Sequence, residues 1–376
     1  MIFRIRAIAK KELRQIRRDV RTLTIMFVFP VFMLILFGYA LNFDVTDVKI
    51  GVYDQEKSDI SREFIQSLQK TGYFDLVSYF SSQEEINKAL DLKEVQCVIV
   101  LPPDLSEKFY TKRTAKIQYL IDGVDGNTAT IIMNYVNSAT ASLSNMLSGE
   151  VLSRSGYKMT VPVDLQPRFW FNPDLKSSHF LVPGLIGFIL IILTVVLTAV
   201  SIVREKELGT IEQINVSPVT DTELLIGKII PYTVISFLVS VIILFAGYLL
   251  FGIQLKGSIV LLFFTILLYL VASLNIGILV STIADSQQVA FQLGMLFSML
   301  PSMLLSGFIF PIESMPKVLQ LITNISPTKF FLIALRAILI KGAGIEAFWD
   351  QLVYLAIYAL VFFLLATLRM RLKETK

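Results

Sequence analysis

The chain has 376 residues, of which 54% are hydrophobic and 17% charged, and its mean hydropathy is +0.66. Soluble domains carry nearer a quarter charged residues, so this composition excludes an ordinary water-soluble protein. The formal charge of +4 does not indicate nucleic acid, because eight Lys/Arg fall in the first 21 residues and four in the last eight, beside apolar blocks.

Residues 2–20 set Ile5, Ala9, Leu13, Ile16 and Val20 at steps of three and four. Basic residues surround that stripe, which predicts an amphipathic helix over 1–21 lying on the cytoplasmic leaflet. Lys10, Lys11, Arg14, Arg17 and Arg18 would meet the membrane lipid headgroups. The first uncharged apolar block, Leu23–Leu41, follows at once. Five more are Phe180–Val203, Ile229–Phe251, Ile259–Ile283, Val289–Phe310 and Leu352–Leu368. Each is about the 20 residues that a helix needs to cross a bilayer. The expected fold is an α-helical polytopic membrane protein with six transmembrane helices. Basic flanks place both termini in the cytoplasm, and an even number of spans agrees with that. The basic start is too long for a cleavable signal peptide and no Ala-x-Ala-like site follows, so the first span, 22–41, is expected to remain as an anchor.

Residues 42–179 then form an extracytoplasmic domain, inserted between helices 1 and 2. Its 14 basic and 18 acidic residues are no objection, since long translocated domains escape the charge rule. Strand signals at 49–54, 76–80, 95–102 and 116–122 alternate with helical ones at Ser58–Lys70, Gln83–Leu90 and Asn127–Leu147, and Asp104 is placed to cap a short helix through Tyr110. The alternation predicts a small α/β domain with a mixed sheet. Cys97 is the single cysteine and reads as a buried strand residue, so no intramolecular disulfide can form.

Spans two to six occupy 180–368, with a cytoplasmic loop at 204–228 and a tail at 369–376. In the loop, Leu208, Ile211 and Ile214 recur at steps of three among Glu205, Glu207 and Glu212, which predicts a short helix with an apolar stripe and acidic flanks. Ser217-Pro218 should end it, and Thr220-x-x-Glu223 reads as a capping box for the next helix. Residues 311–350 are punctuated by Pro311, Pro316 and Pro327. They predict short helices at the outer leaflet rather than a span.

The sequence offers little chemistry. Gly227-Lys228 is followed by Ile229 and lacks the upstream glycine of a nucleotide-binding loop. His179, the only histidine, stands at the start of a span and reads as an interfacial hydrogen-bonding residue. No catalytic, cofactor or metal constellation is expected. Coupling to protons or sodium generally needs ionisable groups at membrane depth, and the six blocks carry none. Energy is therefore expected to arrive from outside the chain, through its cytoplasmic surface.

The run VREKELGTIEQINVSPVTDTELLIGKIIPY resembles the loop of ABC-2 type transporter permeases, in which a similar charged run precedes a Ser-Pro and a later Gly-Lys. RFWFNPDLKSSHFLVPGLIG is similar to the start of that family's second span, LIDGVDGNTATIIMNYV to a segment of its external domain, and SGFIFPIESMP to the end of its fifth span. The resemblance runs through nearly the whole chain, in order, and is nearest to bacterial multidrug-type permeases with a large external domain. It implies a half-transporter: two permease chains, identical or paralogous, dock on ABC ATPase subunits that bind the ATP, so the chain itself is not an enzyme. The coupling role falls on the matching residues Glu205, Lys206, Glu207, Leu208, Gly209, Thr210, Ile211 and Glu212. A periplasmic adaptor is a further candidate partner. The competing reading is a non-transporting receptor or scaffold whose external domain binds a ligand, although six spans exceed what an anchor needs.

Overall fold

The computed structural model describes residues 1–40, 48–70, 72–111, 116–124, 128–137, 139–140, 170–172, 176–209 and 220–374. The chain divides into two compact units, one built from Met1–Asn42 with Phe169–Lys376 and one from Phe43–Arg168.

The smaller unit is the expected α/β domain. Strand β1 (Val48–Asp54) is followed by helix α3 (Asp59–Lys70), β2 (Phe74–Tyr79), α4 (Gln83–Asp91), β3 (Cys97–Leu101), α5 (Leu105–Tyr110) and β4 (Gln118–Ile121); α1 and α2 precede them in the other unit. The sheet order is β2-β1-β3-β4, with β4 antiparallel to β3 and the other pairs parallel. Parallel neighbours require long crossovers, and α3 and α4 lie in those connections. The central strand buries Val48, Ile50 and Val52 completely, with Phe64 and Leu68 of α3 in the same cluster. Cys97 pairs with Ile50 in register and is fully buried; that burial pushes its thiol pKa up to about 12. Residues 128–137 are helical, as expected, and the rest of the predicted helix through Leu147 lies outside the described residues save 139–140.

The larger unit is a helical bundle: α1 (Ile2–Arg18), α2 (Val20–Ala40), α6 (Ser178–Glu207), α7 (Asp221–Phe251), α8 (Ile259–Ile283), α9 (Gln287–Leu304), α10 (Lys317–Ile322), α11 (Pro327–Arg336) and α12 (Trp349–Glu374). Among the described residues, five helices are long and apolar enough to cross a membrane. They become six if the bent pair Lys317–Ile325 and Pro327–Lys341, meeting at 94°, counts as one span. The expected fifth span is a helix that stops at Leu304, after 18 residues, with Pro301 in its last turn. The residues expected at the outer leaflet, 311–350, are the short pieces that proline punctuation predicts, but α11 is largely buried, with Phe330, Phe331, Leu332, Ala334 and Leu335 at 4% exposure or less. Broken backbone at such a place is tolerated because protein covers it.

Helix α6 is the axis of the bundle and packs against α2, α7, α8, α9 and α11. Without water to drive association, such helices depend on close packing at small residues. A Cβ on Gly277 of α8 would lie 2.7 Å from the Val195 carbonyl oxygen of α6, so that contact admits only glycine. At 30 residues α6 is about 45 Å long, well beyond the ~30 Å hydrocarbon core, so its ends reach the polar zone. The boundaries differ from the apolar blocks for that reason. Helix α6 continues past Val203 to Glu207 and α7 begins at Asp221, so only the middle of the predicted loop 204–228 connects them. The Thr220/Glu223 capping box is present, with both reciprocal hydrogen bonds made.

Candidate functional site

Successive residues of an α-helix point about 100° apart, so the four charged residues Arg204, Glu205, Lys206 and Glu207 at the end of α6 face all round it. They reach four neighbours. Arg204 pairs with Asp19, at the junction of α1 and α2, with 3.3 Å between Nη1 and Oδ2. Glu205 is 4% exposed and accepts hydrogen bonds from both Lys11 of α1 and Lys228 of α7. Lys206 donates to the Ser281 carbonyl near the end of α8. Glu207 accepts from the Gln287 backbone N–H at 2.8 Å and from the Gln287 side-chain amide. Gln287 opens α9, where the helix dipole favours a carboxylate.

The centre of this arrangement is a cluster of two buried acids and one buried amine, Glu12, Glu205 and Lys228, with the half-exposed Lys11 at its edge. Lys228 is 2% exposed and lies 3.5 Å from Glu12, itself 1% exposed, while Lys11 lies 3.4 Å from the same carboxylate. Charges taken out of water are tolerable only when each is paired, and here every one is. Burial by itself would lower the Lys11 pKa, but the hydrogen bond and charge of Glu205, with those of Glu12, outweigh it and hold the amine above its usual range. Asp19 is held below the usual carboxylate range by the Thr22 backbone N–H and hydroxyl, with Arg204 adding to that.

Glycine lets the helices come this close. A Cβ on Gly227 would lie 2.8 Å from Ile8 of α1, so Gly227-Lys228 seats α1 on α7 and supplies the buried cation. In the sequence this dipeptide read as a failed nucleotide loop and as the Gly-Lys of the family's loop pattern, with no sign that it packs against α1. Sequence reasoning also missed Glu12. The face of α1 turned to the protein holds Ile5, Ile8, Ala9, Glu12 and Ile16, whereas Leu13, assigned to the apolar stripe, is 49% exposed. The available signal was a carboxylate three and four residues from apolar neighbours, inside the stripe.

Of the residues predicted for coupling, Glu205, Lys206 and Glu207 are therefore tied to other helices of the chain. Leu208 follows the end of α6 and is 65% exposed. Gly209 takes φ of +66°, the left-handed conformation that ends a helix and that glycine adopts at no steric cost. Thr210, Ile211 and Glu212, the predicted short helix and Ser217-Pro218 lie outside the described residues. The predicted membrane-facing bases Lys10, Lys11, Arg14, Arg17 and Arg18 are all exposed, although the Lys11 amine is paired with Glu12 and Glu205. Among the described residues, no group of three His, Cys, Asp or Glu could hold a metal ion.

A second, partly buried cation stands at the opposite end of α6. Arg336 of α11 donates from Nη1 to the Gly307 carbonyl and from Nη2 to the Phe180 carbonyl, both at 3.0 Å, and its guanidinium carbon is 3.9 Å from the Phe180 ring centroid. The sequence carried no sign of this clasp, because Arg336 lies outside every apolar block.

The family model described as ABC-2 family transporter protein matches residues 20–368. A probable multidrug ABC transporter permease of Escherichia coli K12, YbhS, is 33% identical over 340 residues, covering 90% of this chain and 89% of the relative. Another from the same strain, YbhR, is 31% identical over 353 residues, 94% of each. ABC transporter G family member 20 of Dictyostelium discoideum is 23% identical over 375 residues, and this chain covers 50% of its length.

Proposed function

The chain belongs to the ABC-2 family of transporter proteins, and we propose that it is driven by a separate ATP-binding subunit that docks on the segment following α6. It is a multi-pass permease subunit of an ABC transporter, as its spans and relatives support. In the proposed reading two permease chains, identical or paralogous, form an export path across the bacterial inner membrane. The ATPase binds ATP and the permease carries no ATP site of its own. The end of the bundle holding Glu205 faces the cytoplasm with both termini, and the sheet domain faces the other side, where a periplasmic adaptor is a candidate partner. The positive-inside pattern supports that orientation.

The observation that carries the proposal is the splaying of Arg204–Glu207 onto α1, α7, α8 and α9. A load applied to residues 208–219 is transmitted through charge-assisted bonds to four helices at once, and such bonds are about twice as strong as neutral ones. Leu208 then stands first in the docking stripe, with its side chain exposed and ready for a partner's groove. Leu208→Asp should cut retention of the ATPase about ten-fold in a co-purification, as loss of an apolar anchor does at an interface. Its unfolding midpoint should stay at the wild-type value. Undiminished retention, with full stimulation of ATP hydrolysis, would sink the docking assignment.

A further inference from the structure

Ser326 stands at the 94° bend between Lys317–Ile325 and Pro327–Lys341. It occupies the N-cap position of α11, where a serine hydroxyl ordinarily accepts a backbone N–H. Here it makes no such bond. The hydroxyl is fully buried and has no hydrogen-bond partner among the described residues. Leaving such a group unpaired costs about 1–3 kcal/mol. A spare hydroxyl inside a packed bundle therefore calls for a reason.

Ser326 lines a cavity of about 260 Å³ between α6, α8, α9 and α12. An apolar cavity of about 150 Å³ is enough to take up benzene. The walls are apolar and carry no charged side chain, with Ile191, Ile276 and Phe362 among them. Two further polar features belong to residues of this lining. Pro301 has no N–H to give to the Phe297 carbonyl one turn back, and both residues line the cavity. Ser302, also in the lining, ends a chain of hydroxyls: it is 2.8 Å from Thr328, which is 3.0 Å from Tyr269, which donates to the Gly187 carbonyl at 2.8 Å. With the Tyr269 proton committed there, the Thr328 proton goes to Tyr269 and the Ser302 proton to Thr328. Ser302 is left as an acceptor, and Ser326 supplies a donor.

The rim decides where a ligand would come from. Phe297 is 50% exposed and Ile325 61%, so the cavity opens on an exposed apolar flank of the bundle. We propose that this cavity is a binding site for a neutral amphiphile, an apolar molecule carrying one hydroxyl or amide, which enters from the bilayer. An ion would lose its hydration there and find no countercharge. The proposal is independent of what drives transport.

The test uses the full-length protein in phosphatidylcholine nanodiscs, photolabelled with a diazirine-bearing octanol and, separately, with the matching diazirine-bearing octane. Adducts are mapped by peptide mass spectrometry. The alcohol should label the peptides holding Phe297, Pro301 and Ile325 about five-fold more than the alkane, the value of one net hydrogen bond near 1 kcal/mol. Ser326→Ala should remove most of that preference and leave alkane labelling unchanged. Equal labelling by the two probes, or alcohol adducts scattered over the lipid-facing helices, would overturn the site. That comparison needs no variant, so a misfolded Ser326→Ala cannot protect it. Competition separates the sources: displacement by diolein marks a bilayer lipid as the occupant, and displacement by free 1-octanol alone marks a small compound. Displacement by neither overturns the proposal.

Discussion

At one end of α6 a group of side chains neutralises itself, with Glu205 and Glu12 set against Lys11 and Lys228. At the other end, about 37 Å away by helix rise, Arg336 is held by the Gly307 and Phe180 carbonyl oxygens and the Phe180 ring. Both ends hold cationic groups against other helices, but the partners differ in kind. Side-chain acids on α1 and α6 can re-pair with other amines if the helices slide, because each sits on a flexible stem. Carbonyl oxygens move only with the backbone. The first end is suited to a joint that shifts under load, and the second to a fixed clasp between α11 and the start of α6.

Lys228→Ala tests that difference most severely, since it leaves Glu205 and Glu12 buried with one amine for two acids. We expect a loss of about 3–5 kcal/mol in unfolding free energy, measured by denaturation in mixed micelles. Adding Glu205→Gln should recover much of the loss, because an uncharged pair no longer needs a counterion. If the double variant is as unstable as the single, packing and not charge holds this end.

Arg336→Met should cost less, about 2 kcal/mol in the same assay, because it removes two charge-assisted bonds and leaves no charge behind. Arg336→Lys should fare no better than Met, since one ammonium cannot span both carbonyls as the guanidinium fork does. Wild-type stability of the lysine variant would show that charge alone suffices.

Asp19 gives the smallest effect, because its pair with Arg204 is open to water. Asp19→Asn should cost under about 1 kcal/mol at neutral pH. The folded-state pKa of Asp19 is depressed, first by the Thr22 backbone N–H. Its contribution is therefore present above the unfolded value near 4 and is lost as pH falls through the lower folded value. Wild type and Asp19→Asn should converge in stability in acid; a gap that persists well below pH 3 would assign the difference to packing.

Much of this molecule is readable in one dimension. The apolar blocks at 259–283 and 23–41 mark α8 and α2 within three residues, because membrane thickness imposes a length on any uncharged helix. The α/β alternation, the mixed sheet and the Thr220/Glu223 capping box were legible for the same local reason: each depends on residues a few positions apart. The α6 end was legible only as a charged run. That Arg204, Glu205, Lys206 and Glu207 take separate partners required knowing which helices surround α6.

By itself, then, the sequence determined the membrane class, the inserted sheet domain and the segment that matches the ABC-2 family. Periodicity, length and local capping are properties of neighbouring residues, and they survive without coordinates. Only the tertiary structure decided that Glu12 joins Lys228 from 216 positions away, that Gly227 seats α1, and that Arg336 closes on Phe180. Those pairings depend on the angles at which helices cross. The crossings are set by close packing at glycines such as Gly277, which no window of the sequence can contain together with its partner.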